Sequence, residues 1–275
     1  MEALKRIFPD VNAHSVVGRI VMPGHPFASD ADKAESEAET TKLHDLIAAH
    51  DVTYVLTDTR ESRWLPAVIC SSLNKLCVNV ALGLESYLVI RHGDGPASES
   101  PQPPPPAGEA LAPPSTKPFN LTLDPHPRLS CYFCSDVTPP QNSTLNRTLD
   151  QQCTVTRPGL APIASSLAVE MVVSLLHRKE KGETSGLGQV PHMIRGDVAS
   201  YQMVVPKPLP AFTQCSACCS PCISEYRDKG LSFVEDICND LDGSVLEKVC
   251  GLDLLKKGCE EGDWDCSDDE GMGSG

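Results

Sequence analysis

Four cysteines fall in two Cys-x-x-Cys pairs, Cys131/Cys134 and Cys215/Cys218, and a fifth, Cys153, stands alone between them. Each pair can present two sulfurs from one tight turn, so two pairs complete a tetrahedral thiolate site for zinc. Their long separation is no obstacle, because each pair is preformed locally and the fold brings the two together. Four sulfurs close the shell, which makes such a metal structural rather than catalytic. Cys219 and Cys222 form a further pair, so Cys218, Cys219 and Cys222 all compete as downstream ligands, with Cys215/Cys218 preferred. Unrelated buried thiols are the plainer reading. A redox protein using Cys218, Cys219 and Cys222 is a third, and it requires a reversible disulfide and no zinc.

Cys153 has the setting of a nucleophile. Arg147 and Arg157 flank it, and Pro158 opens a helix whose positive end lies close in sequence. All three favour the thiolate, the reactive form of sulfur. No histidine lies nearby in sequence, so a protease-type dyad gains no support. An ordinary buried cysteine is the alternative. Asp58 closes an apolar run within 57–64 (TDTRESRW). Ligands of α/β folds collect at the carboxyl ends of parallel strands. An acid there can hold Mg²⁺ while Arg60 or Arg63 meets phosphate oxygens. A helix-capping aspartate beside surface arginines fits the local sequence equally well. No Gly-x-Gly-x-x-Gly follows a strand, and no Walker-type loop is present. The histidines lack ligand spacing, and His192 reads as structural.

The elements that must position these residues alternate, over residues 1–92, in the manner of an α/β sheet. Residues 16–22 form a β-branched run that reads as a strand, ended by Pro23-Gly24-His25-Pro26. An exposed helix is expected over 32–50, with Leu43, Leu46 and Ile47 on one face. Residues 52–57 read as a buried parallel strand, followed by a helix over 62–73 and strands at 76–81 and 87–90. Residues 93–129 are proline-rich, with four consecutive prolines at 103–106, and read as a disordered insertion of polyproline II character. Pro158 and Gly159 then open a helix running to about His177, with proline well placed in its first turn. A polar loop at 179–188, a strand at 202–205 and short helices at 223–230 and 231–238 follow. The division is thus 1–92 for the sheet, 93–129 for the insertion, 130–250 for the cysteine-bearing part and 251–275 for an acidic tail.

A formal charge of −14 disfavours nucleic acid and anionic membrane as partners. The 13 cysteines of the chain are not preceded by an apolar signal segment, so the expectation is a reduced, intracellular protein. The longest apolar run, 159–176, is interrupted by Ser165, Ser166 and Glu170, which is too polar for a stable membrane insertion.

Several stretches together resemble the autophagy activating enzymes, the E1-like family that starts conjugation of the two autophagy ubiquitin-like modifiers. They are 22–26 (MPGHP), 58–68 (DTRESRWLPAV), 79–83 (NVALG), 91–93 (RHG), 131–134 (CYFC), 147–159 (RTLDQQCTVTRPG), 190–196 (VPHMIRG), 215–218 (CSAC) and 264–270 (WDCSDDE). The resemblance implies an α/β, Rossmann-like, ThiF-type adenylation domain, zinc-stapled and homodimeric. It implies that ATP and Mg²⁺ activate a modifier's C-terminal glycine, and that Cys153 captures the product as a thioester for transfer to a conjugating enzyme. By the same match Asp58 positions Mg-ATP, Arg63 supports the phosphates, and Cys131, Cys134, Cys215 and Cys218 hold structural Zn²⁺. The acidic tail corresponds to the family segment that engages the lipid-conjugated modifier. A cytoplasmic location, including the site of autophagosome formation, is expected. Compared with the family, the chain is N-terminally truncated and lacks the upstream phosphate loop, and its proline-rich insertion is long. Asn146 replaces an acid close to Cys153, and Val80 replaces an alanine. A catalytically incomplete, zinc-stapled scaffold that dimerises or binds modifiers is the alternative.

Overall fold

The computed structural model describes residues 1–93, 128–143, 155–177 and 190–260. Cys153, nearly all of the proline-rich insertion, the 179–188 loop and the terminal acidic run lie outside the described residues.

The chain opens with a short exposed helix, α1 (Glu2–Ile7), and then runs without regular structure to the long α2 (Asp30–Ala49). Residues 16–22, expected as a strand, do not join the sheet: Val16 and Val17 are exposed, and only Val21 is buried in the core. A β-branched run becomes a strand only where a neighbour takes its backbone hydrogen bonds, and here the segment lies against helices instead. Arg19 pairs with Asp32 at 2.7 Å, and Gly24 N donates to the Ile237 carbonyl at 3.3 Å.

Next come β1 (Val52–Val55), α3 (Arg60–Ser72), β2 (Leu76–Leu82) and β3 (Ser86–His92). β1 and β2 are parallel, with Val52 opposite Leu76, as the intervening helix requires. β2 and β3 are antiparallel, and so are β3 with β4 (Met193–Asp197) and β4 with β5 (Gln202–Val204). The result is a mixed five-stranded sheet in the order β1-β2-β3-β4-β5. This order corrects the expectation for 52–57. β1 is an edge strand, with Tyr54 39% and Leu56 65% exposed, rather than a fully buried one.

The two faces of the sheet carry separate cores. α4 (Leu160–Leu176) lays Leu160, Ala164, Ala168, Met171 and Val172 against Val78, Val80 and Val89. That spacing is one stripe of a helix, while Leu76, Val78 and Val80 alternate along one face of β2. Cys77 points to the opposite face and joins the larger core built around α3. This second core is completed by α5 (Ser220–Lys229), α6 (Leu231–Asn239), α7 (Ser244–Cys250) and α8 (Leu252–Glu260). Within the sheet, Gly196 lies opposite Tyr87, and a Cβ added at Gly196 would sit 2.1 Å from the tyrosine ring. The ring covers the strand backbone where no side chain intervenes.

Candidate active site and zinc centre

Helix α3 buries nearly all of its length, and its side chains reach the end of β1 and both Cys-x-x-Cys turns. It is started by Thr59, whose Oγ1 accepts from Ser62 N at 3.3 Å. The cap is therefore Thr59, and Asp58 is not spent on it. Asp58 is exposed just beyond β1, on the carboxyl side of a parallel strand.

Arg63 is not a surface arginine, being only 3% exposed. Its Nη1 donates to the Val55 carbonyl at 3.2 Å, and the guanidinium carbon lies 5.1 Å from the centre of the Tyr132 ring. Burial lowers its pKa, while Tyr132 and Asp58 act in the opposite sense. Arg63 is thus a fixed charge behind Asp58 rather than a free arm. Arg60 is committed elsewhere, to Asp136 at 2.6 Å and the Thr138 carbonyl at 2.7 Å.

The four thiols meet. Cys131 Sγ lies 3.5 Å from Cys215 Sγ, Cys134 Sγ lies 3.4 Å from Cys218 Sγ, and Cys131 and Cys134 are 3.8 Å apart. All four sulfurs fall within 4.8 Å of one another. A regular tetrahedron with Zn–S bonds of about 2.3 Å has edges of about 3.8 Å. Backbone donors already face the sulfurs: Phe133 N to Cys131 at 3.3 Å, Cys131 N and Phe212 N to Cys134 at 3.2 and 3.3 Å, and Cys218 N to Cys215 at 3.5 Å. Hydrogen bonds from Cys131, Cys215 and Cys218 hold Cys134 far below the ordinary thiol range, whereas burial pushes Cys131 well above it. Four clustered sulfurs, three of them buried and Cys134 partly so, cannot all be thiolates without a counter-charge, so the donor set fits a metal cation.

The neighbouring thiols have other tasks. Cys219 caps α5, its sulfur accepting from Cys222 N at 3.4 Å, and Cys222 Sγ donates to the Ser216 carbonyl at 3.4 Å. Burial pushes Cys219 up to about 12. Among the described residues it is therefore Cys215 and Cys218, not Cys219 or Cys222, that join the upstream pair.

Residues 1–217 match the ThiF family model. The chain belongs to the ThiF family. Within it, the chain is similar to proteins named ubiquitin-like modifier-activating enzyme ATG7: 41% identical over 98% of this chain in both Gallus gallus and Homo sapiens, and 42% over 96% in Dictyostelium discoideum. The chain spans 40% of the length of the first two relatives and 37% of the third. A crystal structure of E. coli MccB with SeMet MccA covers 70% of this chain and 53% of its own, at 11% identity. Its TM-score of 0.36 is below the range in which a shared fold can be argued.

In this ThiF-family chain the structure joins two of the candidate regions and leaves one open. The Asp58/Arg63 region and the four-cysteine cluster meet at the Arg63–Tyr132 contact. Cys153 lies outside the described residues, and the described chain before it ends at Ser143. Ser143 donates through N, at 3.0 Å, and through Oγ to Oε1 of Glu61, a carboxylate only 1% exposed. Glu61 Oε2 is buried with no hydrogen-bond partner among the described residues. Trp64, fully buried, donates from Nε1 to the Ser216 carbonyl at 2.9 Å, between the two downstream cysteines. Glu61, Trp64 and Tyr132 were not singled out in the sequence. For Glu61 and Trp64 the signal lay in the motif 60–64, where acid, cation and tryptophan crowd one helical turn, and for Tyr132 in its place inside the Cys131/Cys134 pair.

Proposed function

We propose that this chain carries the thioester-forming part of an enzyme that activates autophagy ubiquitin-like modifiers. The observation that carries the reading is the similarity, over 98% of the chain, to enzymes named for modifier activation. The reaction has two halves. A modifier's C-terminal carboxylate attacks the α-phosphorus of Mg-ATP, forming an acyl-adenylate and releasing pyrophosphate. The Cys153 thiolate then attacks the acyl carbon, the C–O bond to the phosphate breaks, and AMP leaves. A thiolate is a strong nucleophile near neutral pH, and the thioester keeps the acyl group activated for a conjugating enzyme's cysteine.

Asp58 binds the magnesium of Mg-ATP at the exposed end of β1, and Arg63 supplies a fixed positive charge behind it. Structural zinc on Cys131, Cys134, Cys215 and Cys218 contributes folding energy and no open coordination position. The partners are autophagy ubiquitin-like modifiers, conjugating enzymes and a second copy of the chain, and the location is cytoplasmic, including the site of autophagosome formation. Support for the homodimer comes from α4, which leaves Ile163, Val169, Val173 and Leu176 exposed opposite its buried stripe. A second reading, a zinc-stapled scaffold that binds modifiers without using ATP, rests on the four-cysteine cluster alone, which has no open coordination position for chemistry.

Modifier-dependent exchange of labelled pyrophosphate into ATP separates the two. Exchange that is lost in Asp58→Ala and kept in Cys153→Ser assigns adenylation to this chain. Exchange at background level in the zinc-loaded parent sinks adenylation and leaves the scaffold.

A further inference from the structure

The Arg63–Tyr132 contact joins two sites that the proposed reaction treats as separate. Tyr132 lies between two of the clustered cysteines, Cys131 and Cys134, so its backbone belongs to the tight turn that the sulfurs close. That turn is fixed by Cys134 N donating to the Cys131 carbonyl at 3.1 Å and by Phe133 N on the Cys131 sulfur. The ring is also held from the side, edge-on against fully buried Phe133 at 5.2 Å between centroids. The tyrosine face is presented to a guanidinium that is itself buried and bonded to the last residue of β1. A cation over an aromatic face gains most where both are desolvated.

The same helix is indexed to both halves of the cluster. Arg63 rests on the upstream pair through Tyr132, and Trp64, the next residue, is bonded to Ser216 inside the downstream pair. Arg60, one turn earlier, grips Asp136 and Thr138, just beyond Cys134. Both cysteine turns are therefore in contact with the first turns of α3, which carry Arg60, Arg63 and Trp64.

We infer that Tyr132 is a positioning residue for the nucleotide site, holding Arg63 in place from the metal-closed turn, so that zinc and Mg-ATP binding are coupled through it. This rests on the proposed role of Arg63 at the nucleotide phosphates. Coupling between two sites is reciprocal: whatever factor zinc lends to Mg-ATP affinity, Mg-ATP lends to zinc.

The test measures zinc release from the full chain to a colorimetric chelator, with and without Mg-ATP, beside equilibrium dialysis of labelled Mg-ATP. Parent, Tyr132→Phe, Tyr132→Leu and Arg63→Ala are compared at matched zinc content and melting temperature. At equilibrium Mg-ATP should raise the chelator concentration needed to remove half the zinc by about three- to thirtyfold in the parent, the range spanned by exposed to buried cation–π contacts. Tyr132→Phe keeps the aromatic face and should keep the coupling, whereas Tyr132→Leu should lose it. If Tyr132→Leu does not fold, removing zinc from the parent should weaken Mg-ATP binding by the same factor. Coupling that survives in Tyr132→Leu but vanishes in Arg63→Ala overturns the role of Tyr132 and spares that of Arg63. Mg-ATP binding unaffected by Arg63→Ala, or absent from the parent, overturns the nucleotide reading itself and the inference with it.

Discussion

Cys134 shows how much a single residue can reveal about what the fold expects to bind. Its sulfur receives hydrogen bonds from two backbone amides and sits within 3.8 Å of two other sulfurs, which favours a thiolate in a largely buried place. Cys134→Ser should lower zinc content to well below one per chain and the melting temperature by about 10 °C or more, because a structural zinc is folding energy. Equal metal content in mutant and parent would count against this ligand set. The pairing was legible in the sequence, since Cys-x-x-Cys spacing sets local sulfur geometry. Its downstream register was not legible, because Cys215, Cys218, Cys219 and Cys222 differ only in which way the chain turns at the start of α5. His92 offers a second residue-scale test. Burial lowers its pKa from 6.5 to about 4, with His192 and Arg128 acting in the same sense and Cys134 against it. The folded chain keeps this imidazole neutral where the unfolded chain binds a proton. Its contribution to stability is therefore fully present above pH 6.5 and lost as pH falls towards about 4. Denaturant unfolding of parent and His92→Gln across that window should show the shallower pH slope in the mutant, and parallel slopes would contradict the assignment.

At the scale of elements, α3 is the part of the fold on which the candidate site depends. Its burial from Glu61 to Cys70 is what fixes Arg63, Trp64 and Glu61 against three different neighbours. The helix could be read from its sequence, but its burial on all sides could not, because Arg, Glu and Ser at its start look like a solvent face. The sheet shows the opposite case. The apolar run at 52–57 reads as a central strand, yet β1 is at the edge, since hydrophobicity records contact with helices as well as with strands. β4 escaped notice because His192, Arg195 and Gly196 break its alternation, and α7 and α8 because each spans only two or three turns. Gly196 gives a direct test of the β3–β4 pairing. Gly196→Ala should cost about 1–3 kcal/mol through overpacking against Tyr87. Tyr87→Ala empties part of the core and costs more by itself, so the double mutant should lose less than the sum of the two single losses. An unchanged melting temperature in Gly196→Ala would mean that the ring does not cover that strand.

For the whole molecule, α3 ties the mixed sheet to the four-thiol cluster through Arg63, Trp64 and their partners. If the proposed homodimer forms, the exposed apolar stripe of α4 is the face expected to meet the second copy. Val173→Glu should shift the chain from dimer to monomer in sedimentation equilibrium while leaving zinc content unchanged, and an unaltered dimer would move the interface elsewhere. Family membership could be read in the sequence because segments such as 58–68 and 147–159 set charged, aromatic, proline and cysteine residues in a specific order that composition alone would not produce. The Arg63–Tyr132 link could not, because the two residues lie far apart in sequence and only the folded core brings them into contact. The central claim is that Cys153 accepts a modifier's C-terminal acyl group. The most direct measurement is a non-reducing gel of the zinc-loaded chain incubated with Mg-ATP and a modifier ending in its exposed glycine, beside Cys153→Ser. An ATP-dependent adduct cleaved by reductant is expected in the parent, and Cys153→Ser should give at most a reductant-resistant oxyester; a reductant-sensitive adduct retained in Cys153→Ser, or none in the parent, would contradict thioester formation on Cys153.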